Sequence, residues 1–253
     1  MSLRFCALGS GSRGNALLVE SGGTLLMIDC GLPKRAIEER MAAVGRNPTD
    51  LTALLITHEH GDHCRGIRPL LRRYRVPVWM TPGTAGGIDY EDDFEELNSH
   101  RPLTIVSIRI EPFPVPHDAR EPCQFVFGAD DRRLGLLTDT GHVTAHIKQH
   151  LAGCDALALE FNHDVERLMR GSYPEAVKSR VASRFGHLNN GQAADLLSSV
   201  EHPGLQQVLG LHVSEQNNSR ALVEDCVAEV ANGSGFAFSL AEQGTPSPWF
   251  DIS

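Results

Sequence analysis

The chain has 253 residues with 32 acidic against 23 basic side chains, a formal net charge of −9, and 41% hydrophobic residues. Its 24 glycines and 14 prolines fit a globular protein and exclude a collagen-like or disordered one, and the acidic balance counts against a broad basic groove tracking a long nucleic acid. A chain of this length buries roughly 70–75% of its unfolded surface, so a bound metal would serve function before folding.

The absence of a long apolar run or a secretory leader pattern predicts a cytoplasmic protein with no membrane association. One domain spanning residues 1–253 is expected. Six scattered cysteines, without a C-x-x-C pair, predict buried thiols.

In the first half, apolar runs bounded by Gly, Pro, Asp or Asn predict strands at Leu3–Leu8, Ala16–Glu20, Thr24–Ile28, Leu54–Thr57, Val76–Met80, Leu103–Ile110 and Phe125–Phe127. Helical periodicity falls at Arg35–Val44 and Ile67–Tyr74. The second half predicts strands Leu134–Thr138, Ala156–Glu160, Val208–Leu211 and Gly235–Ser239, and helices Thr144–Leu151, Tyr173–Phe185, Gln192–Val200 and Ser219–Val230. Strands and helices in both halves suggest two sheets packed face to face with helices outside.

The chemistry concentrates in Leu54-Leu-Ile-Thr-His58-Glu-His60-Gly-Asp62-His63. His58 and His60, two apart on an extended chain, point the same way, and Asp62 and His63 follow as the chain turns. Imidazole and carboxylate donors suit Zn, Mn or Fe, and the lack of paired cysteines nearby argues against a closed structural site. Four ligands on one short loop cannot all reach one ion in good geometry, which suggests two ions. Further ligand candidates follow strand-like stretches at His117, Asp139 and His212.

These segments, with Asp29 in Ile28-Asp-Cys-Gly31, resemble in order the motifs of the metallo-β-lactamase-fold hydrolase superfamily. The resemblance implies an α/β fold, a four-layer αβ/βα sandwich. It implies that His58, His60 and His117 hold one divalent ion, that Asp62, His63 and His212 hold the other, and that Asp139 bridges both. It makes Asp29 a residue that orients ligands through hydrogen bonds. Two divalent ions balanced by two carboxylates and a bridging hydroxide leave a net charge of +1, suited to a phosphodiester transition state, with the hydroxide as nucleophile. The same centre would polarise a lactam, lactone or thioester carbonyl. His60, where diiron oxygen reductases of the superfamily usually carry Glu, favours a hydrolase.

The segments Ser10-Gly-Ser-Arg-Gly-Asn15, Asn162-His163-Asp, Gly186-His187-Leu-Asn-Asn190 and His212-Val-Ser-Glu-Gln-Asn217-Asn218 resemble the YycJ/WalJ branch, bacterial cytosolic proteins regarded as 5′-to-3′ exonucleases of duplex DNA. Asn189 stands where Ser is usual and Val213 where Leu is usual. Asp62 is the first catalytic candidate, and His187 also resembles the motif histidine that assists phosphate hydrolysis in tRNA 3′-processing endonucleases, which implies a role as proton donor to the leaving oxygen or as a phosphate-binding imidazolium, with His163 the weaker candidate. The YycJ/WalJ resemblance implies substrate contacts from Asn15, Asn162, His163, Asn190 and Asn218. A DNA phosphodiester is the expected partner, and a homodimer is left open. Arg65, Arg68, Arg72, Arg73 and Arg75, at partly helical spacing, either grip a phosphate backbone or form a solvated face.

The alternatives are a small cyclic phosphodiesterase, a glyoxalase II-like thioesterase or lactonase, and a binding module whose metals are structural. The Asn/His segments beyond residue 160 count against carbonyl hydrolysis, and the full ligand set counts against a mere scaffold.

Overall fold

The structure, a computed structural model, describes residues 2–253. Its strands form two mixed sheets, with helices along the chain between them. Two compact units result. Unit 1 takes the residues up to Pro114, Ala119–Arg132 and Ala241–Ser253, and unit 2 takes Val115–Asp118 and Arg133–Leu240.

Unit 1 begins with the antiparallel strands β1 (Leu3–Gly9), β2 (Ala16–Ser21) and β3 (Thr24–Ile28). Three parallel additions follow on β3: β4 (Ala53–Leu55), β5 (Val78–Met80) and β6 (Glu95–Glu96). β3 and β4 are buried throughout, consistent with their unbroken apolar sequences, since interior parallel strands have no solvent face to alternate toward. Helix α1 (Lys34–Ala43) buries Ile37 and Met41, one turn apart, in an apolar cluster with Leu8, Leu18, Met27 and Leu54. The short helices α2 (Gly61–Cys64), α3 (Ile67–Leu71) and α4 (Pro82–Gly87) follow β4 and β5. An antiparallel ribbon of β7 (Leu103–Ile105), β8 (Ile108–Pro114) and β9 (Cys123–Ala129) completes this part.

Unit 2 is built on β10 (Arg132–Leu137, all but its first residue), β11 (Ala156–Glu160), β12 (Gln207–Leu211) and β13 (Ala237–Leu240), each parallel to the next. Between them run α5 (Ala145–Leu151), α6 (Val165–Arg170), α7 (Glu175–Val181), α8 (Asn190–Val200) and α9 (Arg220–Ala231). Side-chain caps start four of these helices. Thr144, Asp164, Asn189 and Ser219 each accept from a backbone N–H in the first turn. The chain returns to unit 1 in β14 (Phe250–Ile252), antiparallel to β1 with Leu3 opposite Ile252.

β3 and β11 run over the residues their composition predicts. The expected strand Leu103–Ile110 is instead a hairpin, because Val106 takes a left-handed φ of 53° and reverses the chain with Ser107. Ser107 Oγ donates to Ser21 O at 2.6 Å, which anchors a turn lacking the usual Gly or Asn. Tyr173–Phe185 shortens to Glu175–Val181, since Pro174 takes the N-cap position and the chain leaves the helix at Ala182. All six cysteines are free, five of them buried, and burial raises the Cys64 thiol to about 11 and the Cys6 thiol to about 12. Among the described residues, no helix is long and apolar enough to cross a membrane.

Candidate functional site

In unit 1, β4 is clamped between β3 and β5 and delivers the chain to Thr57. The loop beyond is fixed by its backbone. Cys30 N donates to His63 O at 2.7 Å, Asn15 N to Asp62 O at 2.8 Å, and Gly31 N to Asn15 O at 2.9 Å. A Cβ on Gly31 would overlap the Asp62 carbonyl, so only glycine permits this approach.

The side chains are oriented from behind. Asp29 Oδ2 lies 2.7 Å from His63 Nδ1, and its Oδ1 accepts from Thr57 N at 2.9 Å. Thr57 Oγ1 lies 2.9 Å from His58 Nδ1. Engaging both Nδ1 atoms makes Nε2 of His58 and of His63 the nitrogens that could meet a metal ion, His63 through the carboxylate–histidine arrangement that fixes tautomer and direction at metal sites and His58 through the Thr57 hydroxyl. The His58 and His63 rings stand 4.2 Å apart and those of His58 and His60 4.6 Å apart, centroid to centroid. Asp62 lies in the first turn of α2 beside them, its Oδ2 3.5 Å from His63 Nε2. Asn15 reaches the same place, with Nδ2 3.1 Å from His63 Nε2 and 3.4 Å from Asp62 Oδ2.

In unit 2 the residues converge from separate strands. Parallel register sets Leu137 beside Leu159 and Glu160 beside Leu211, so Asp139, Glu160 and His212 all emerge at one end of the sheet. His187 joins them, and ligand atoms of Asp139, Glu160, His187 and His212 all lie within 4.8 Å of one another. His212 Nδ1 is 3.0 Å from Asp139 Oδ1, and Thr138 Oγ1 donates to Asp139 Oδ2 at 2.6 Å. His117 stands on Val115–Asp118 with Nδ1 3.0 Å from Gly186 O, and its ring centroid is 5.3 Å from that of His187.

Glu160 carries no role in the sequence reading. It is fully buried, lies 2.7 Å from His187 Nδ1, and accepts from Thr140 N and Leu188 N at 3.2 Å each. Burial alone would raise its carboxyl, but the His187 imidazole and the hydrogen bonds from His187 and His212 outweigh that and lower it to about 2. The available sequence signal is a carboxylate closing an otherwise apolar strand, Ala-Leu-Ala-Leu-Glu160.

Asp29, Asp139 and His212 all have left-handed backbones, with φ of 62°, 48° and 52°. Such conformations cost non-glycine residues about 1 kcal/mol or more and cluster where function demands them.

The remaining candidates brace loops. Asn162 Nδ2 donates to His212 O at 3.2 Å. Asn190 and Asn218 exchange both amide hydrogen bonds, at 2.9 and 2.8 Å. His163 is buried with Nδ1 3.3 Å from Asn162 Oδ1, and burial pushes its imidazole down to about 4. In each unit the donor set, imidazole nitrogens and carboxylate oxygens with orienting partners behind them, fits divalent metal ions.

The β-lactamase superfamily domain family matches residues 24–213. An exodeoxyribonuclease YycJ of Bacillus anthracis is 35% identical over 247 residues, covering 95% of this chain and 94% of that protein. An exodeoxyribonuclease WalJ of Streptococcus pneumoniae is 34% identical over 230 residues, with coverage of 88% and 86%. The crystal structure of the metallo-β-lactamase fold protein YhfI from Bacillus subtilis superposes with a TM-score of 0.77 at 15% identity, over 99% of this chain and all of that one, and shows the same αβ sandwich fold. The chain belongs to the β-lactamase superfamily and is a metal-dependent hydrolase of the metallo-β-lactamase fold.

Proposed function

We propose that the chain acts as one catalytic domain in the cytoplasm and hydrolyses DNA phosphodiester bonds as a 5′-to-3′ exonuclease. By the family resemblance, His58, His60 and His117 hold one divalent ion, Asp62, His63 and His212 a second, and Asp139 both, with zinc or manganese as the candidates. Ions bound there would supply a nucleophile at neutral pH and Lewis-acid stabilisation of the phosphoryl oxygens.

The observation that carries this reading is the pairing of His187 with buried Glu160. Glu160 fixes the ring through Nδ1 and offsets a positive charge on it, which frees Nε2 to hold a proton for the leaving oxygen. A departing alkoxide needs that proton, whereas a thiolate, from a thiol of pKa about 8.5, departs without it. The names of the YycJ and WalJ relatives support a DNA substrate. Asn15, beside His63 and Asp62, is the proposed substrate contact in unit 1. Asn162, His163, Asn190 and Asn218 serve the substrate by holding the His187 and His212 loops.

The test is hydrolysis of end-labelled duplex DNA and of bis-p-nitrophenyl phosphate, with Zn²⁺, Mn²⁺ or EDTA, beside a His60→Ala control. Metal-dependent mononucleotide release that the variant lacks is expected. Cleavage of the small diester alone would replace DNA by a small phosphodiester, and inactivity on both with turnover of a thioester would overturn the reading.

A further inference from the structure

The helical segment after the metal motif carries five arginines that the chemistry above leaves unused. Between α2 and α3, Arg65 and Gly66 keep right-handed helical dihedrals, as does Arg72 beyond α3, so the chain from Gly61 to Arg72 is nearly continuous helix. At 3.6 residues per turn, Asp62, Arg65, Arg68 and Arg72 fall on one face. The rise sets Arg72 roughly 15 Å beyond Asp62, about four base-pair steps of duplex DNA.

The far end of this ridge borders a groove of about 1090 Å³, lined by Arg68, Arg72, Arg75 and Tyr90 together with the carboxylates Asp92 and Asp93, so the arginines outnumber the acids by one. Several arginines elsewhere are neutralised by carboxylates, as in Arg35–Glu39, Arg46–Glu20, Arg170–Glu166 and Arg180–Asp118. Those on the ridge are not. Arg65 donates to the carbonyls of Gly31 and Arg13, and Arg68 to those of Ile88 and Asp89, which orients each guanidinium and leaves its charge intact. Exposed Arg72 and Arg75 make no hydrogen bond or ion pair among the described residues. Arg73 turns instead to Tyr74 and Glu38.

We propose that the Arg65–Arg68–Arg72 ridge and Arg75 form a phosphate track that holds the DNA backbone leading away from the centre at Asp62. The proposal rests on the DNA phosphodiesterase reading and adds where the duplex lies. The regular cationic spacing that starts at Asp62 favours a phosphate backbone over an acidic peptide, whose carboxylates have no such repeat. A single short track also reconciles a DNA substrate with a net charge of −9, since only a few phosphates need be neutralised.

The test is fluorescence anisotropy of a labelled, 5′-phosphorylated 20-base-pair duplex in EDTA, which prevents cleavage, across a range of KCl concentrations. Arg72→Glu/Arg75→Glu should weaken binding about tenfold or more at low salt and lower the slope of log K against log[KCl] by about 2, one unit per lost phosphate contact. Arg72→Lys/Arg75→Lys should keep the slope. Arg101→Glu, which changes charge outside the groove, should also leave the slope as it is. Equal slopes for wild type and the double Glu variant, or an equal drop for Arg101→Glu, would overturn the track. A wild type that binds no duplex in EDTA and releases no mononucleotides from it when Zn²⁺ or Mn²⁺ is supplied would overturn both the track and the DNA reading, whereas a wild type that cleaves the duplex with metal supplied but shows the same salt slope as the double Glu variant in EDTA would overturn the track alone.

Discussion

The two units gather their site residues by opposite routes. Unit 1 presents His58, His60, Asp62 and His63 on six consecutive residues, held in place by Asp29, Thr57 and the Gly31 backbone. Unit 2 draws Asp139, Glu160 and His212 from the ends of three strands, with His187 from the approach to α8. The contiguous set depends on local turns and on close backbone packing. The distributed set depends on parallel register, where a slip of one residue would turn every side chain on a strand to the opposite face.

The sharpest way to break the comparison is to remove the carboxylate that the distributed set centres on. Asp139→Ala should lower metal-dependent hydrolysis about 1000-fold, the several kcal/mol expected of charge stabilisation at such a centre. Turnover by the variant within tenfold of wild type would show that Asp139 is not the bridging ligand proposed.

A second pair of variants separates orienting residues from ligands. Asp29→Asn should weaken zinc binding by 10–100-fold through His63, as measured by chelator competition, on the scale known for partners behind metal ligands. Glu160→Gln should leave zinc affinity within a few-fold and reduce kcat on DNA by about 10–100-fold. A Glu160→Gln protein that loses zinc as Asp139→Ala does would make Glu160 a ligand and remove it from proton handling.

The smallest expected effect concerns acid stability in unit 2. His163 is held at about 4 by burial, against an ordinary value near 6.5. Below about 6.5 the unfolded chain takes up a proton that the folded one refuses. The contribution is therefore complete above 6.5 and fades as pH falls toward 4, by up to about 3 kcal/mol. Urea midpoints in EDTA between pH 7.5 and 4.5 should fall more steeply for wild type than for His163→Gln, and parallel curves would show that His163 does not titrate this way.

The same contrast explains what the sequence discloses. His58–His63 is readable because spacing alone brings the donors together, and β3 and β11 are readable because buried parallel strands need unbroken apolar runs. Asp139 and His212 could be nominated only by their place after such runs. Glu160 went unassigned because its partner His187 lies 27 residues away and only the fold joins them. The two-residue β6, the glycine-rich α4 and the turn at Val106 are set by tertiary packing and carry no periodic signal.

The left-handed backbones at Asp29, Asp139 and His212 bear on how this protein would drift if selection on its chemistry ceased. At each position glycine would fit the backbone with less strain, so the backbone conformation alone would favour glycine by about 1 kcal/mol per site. A lineage that kept the fold but abandoned the reaction should shed these three residues first. All three stand on left-handed backbone here, as expected if the proposed metal chemistry, more than the empty scaffold, sets the residue at each position.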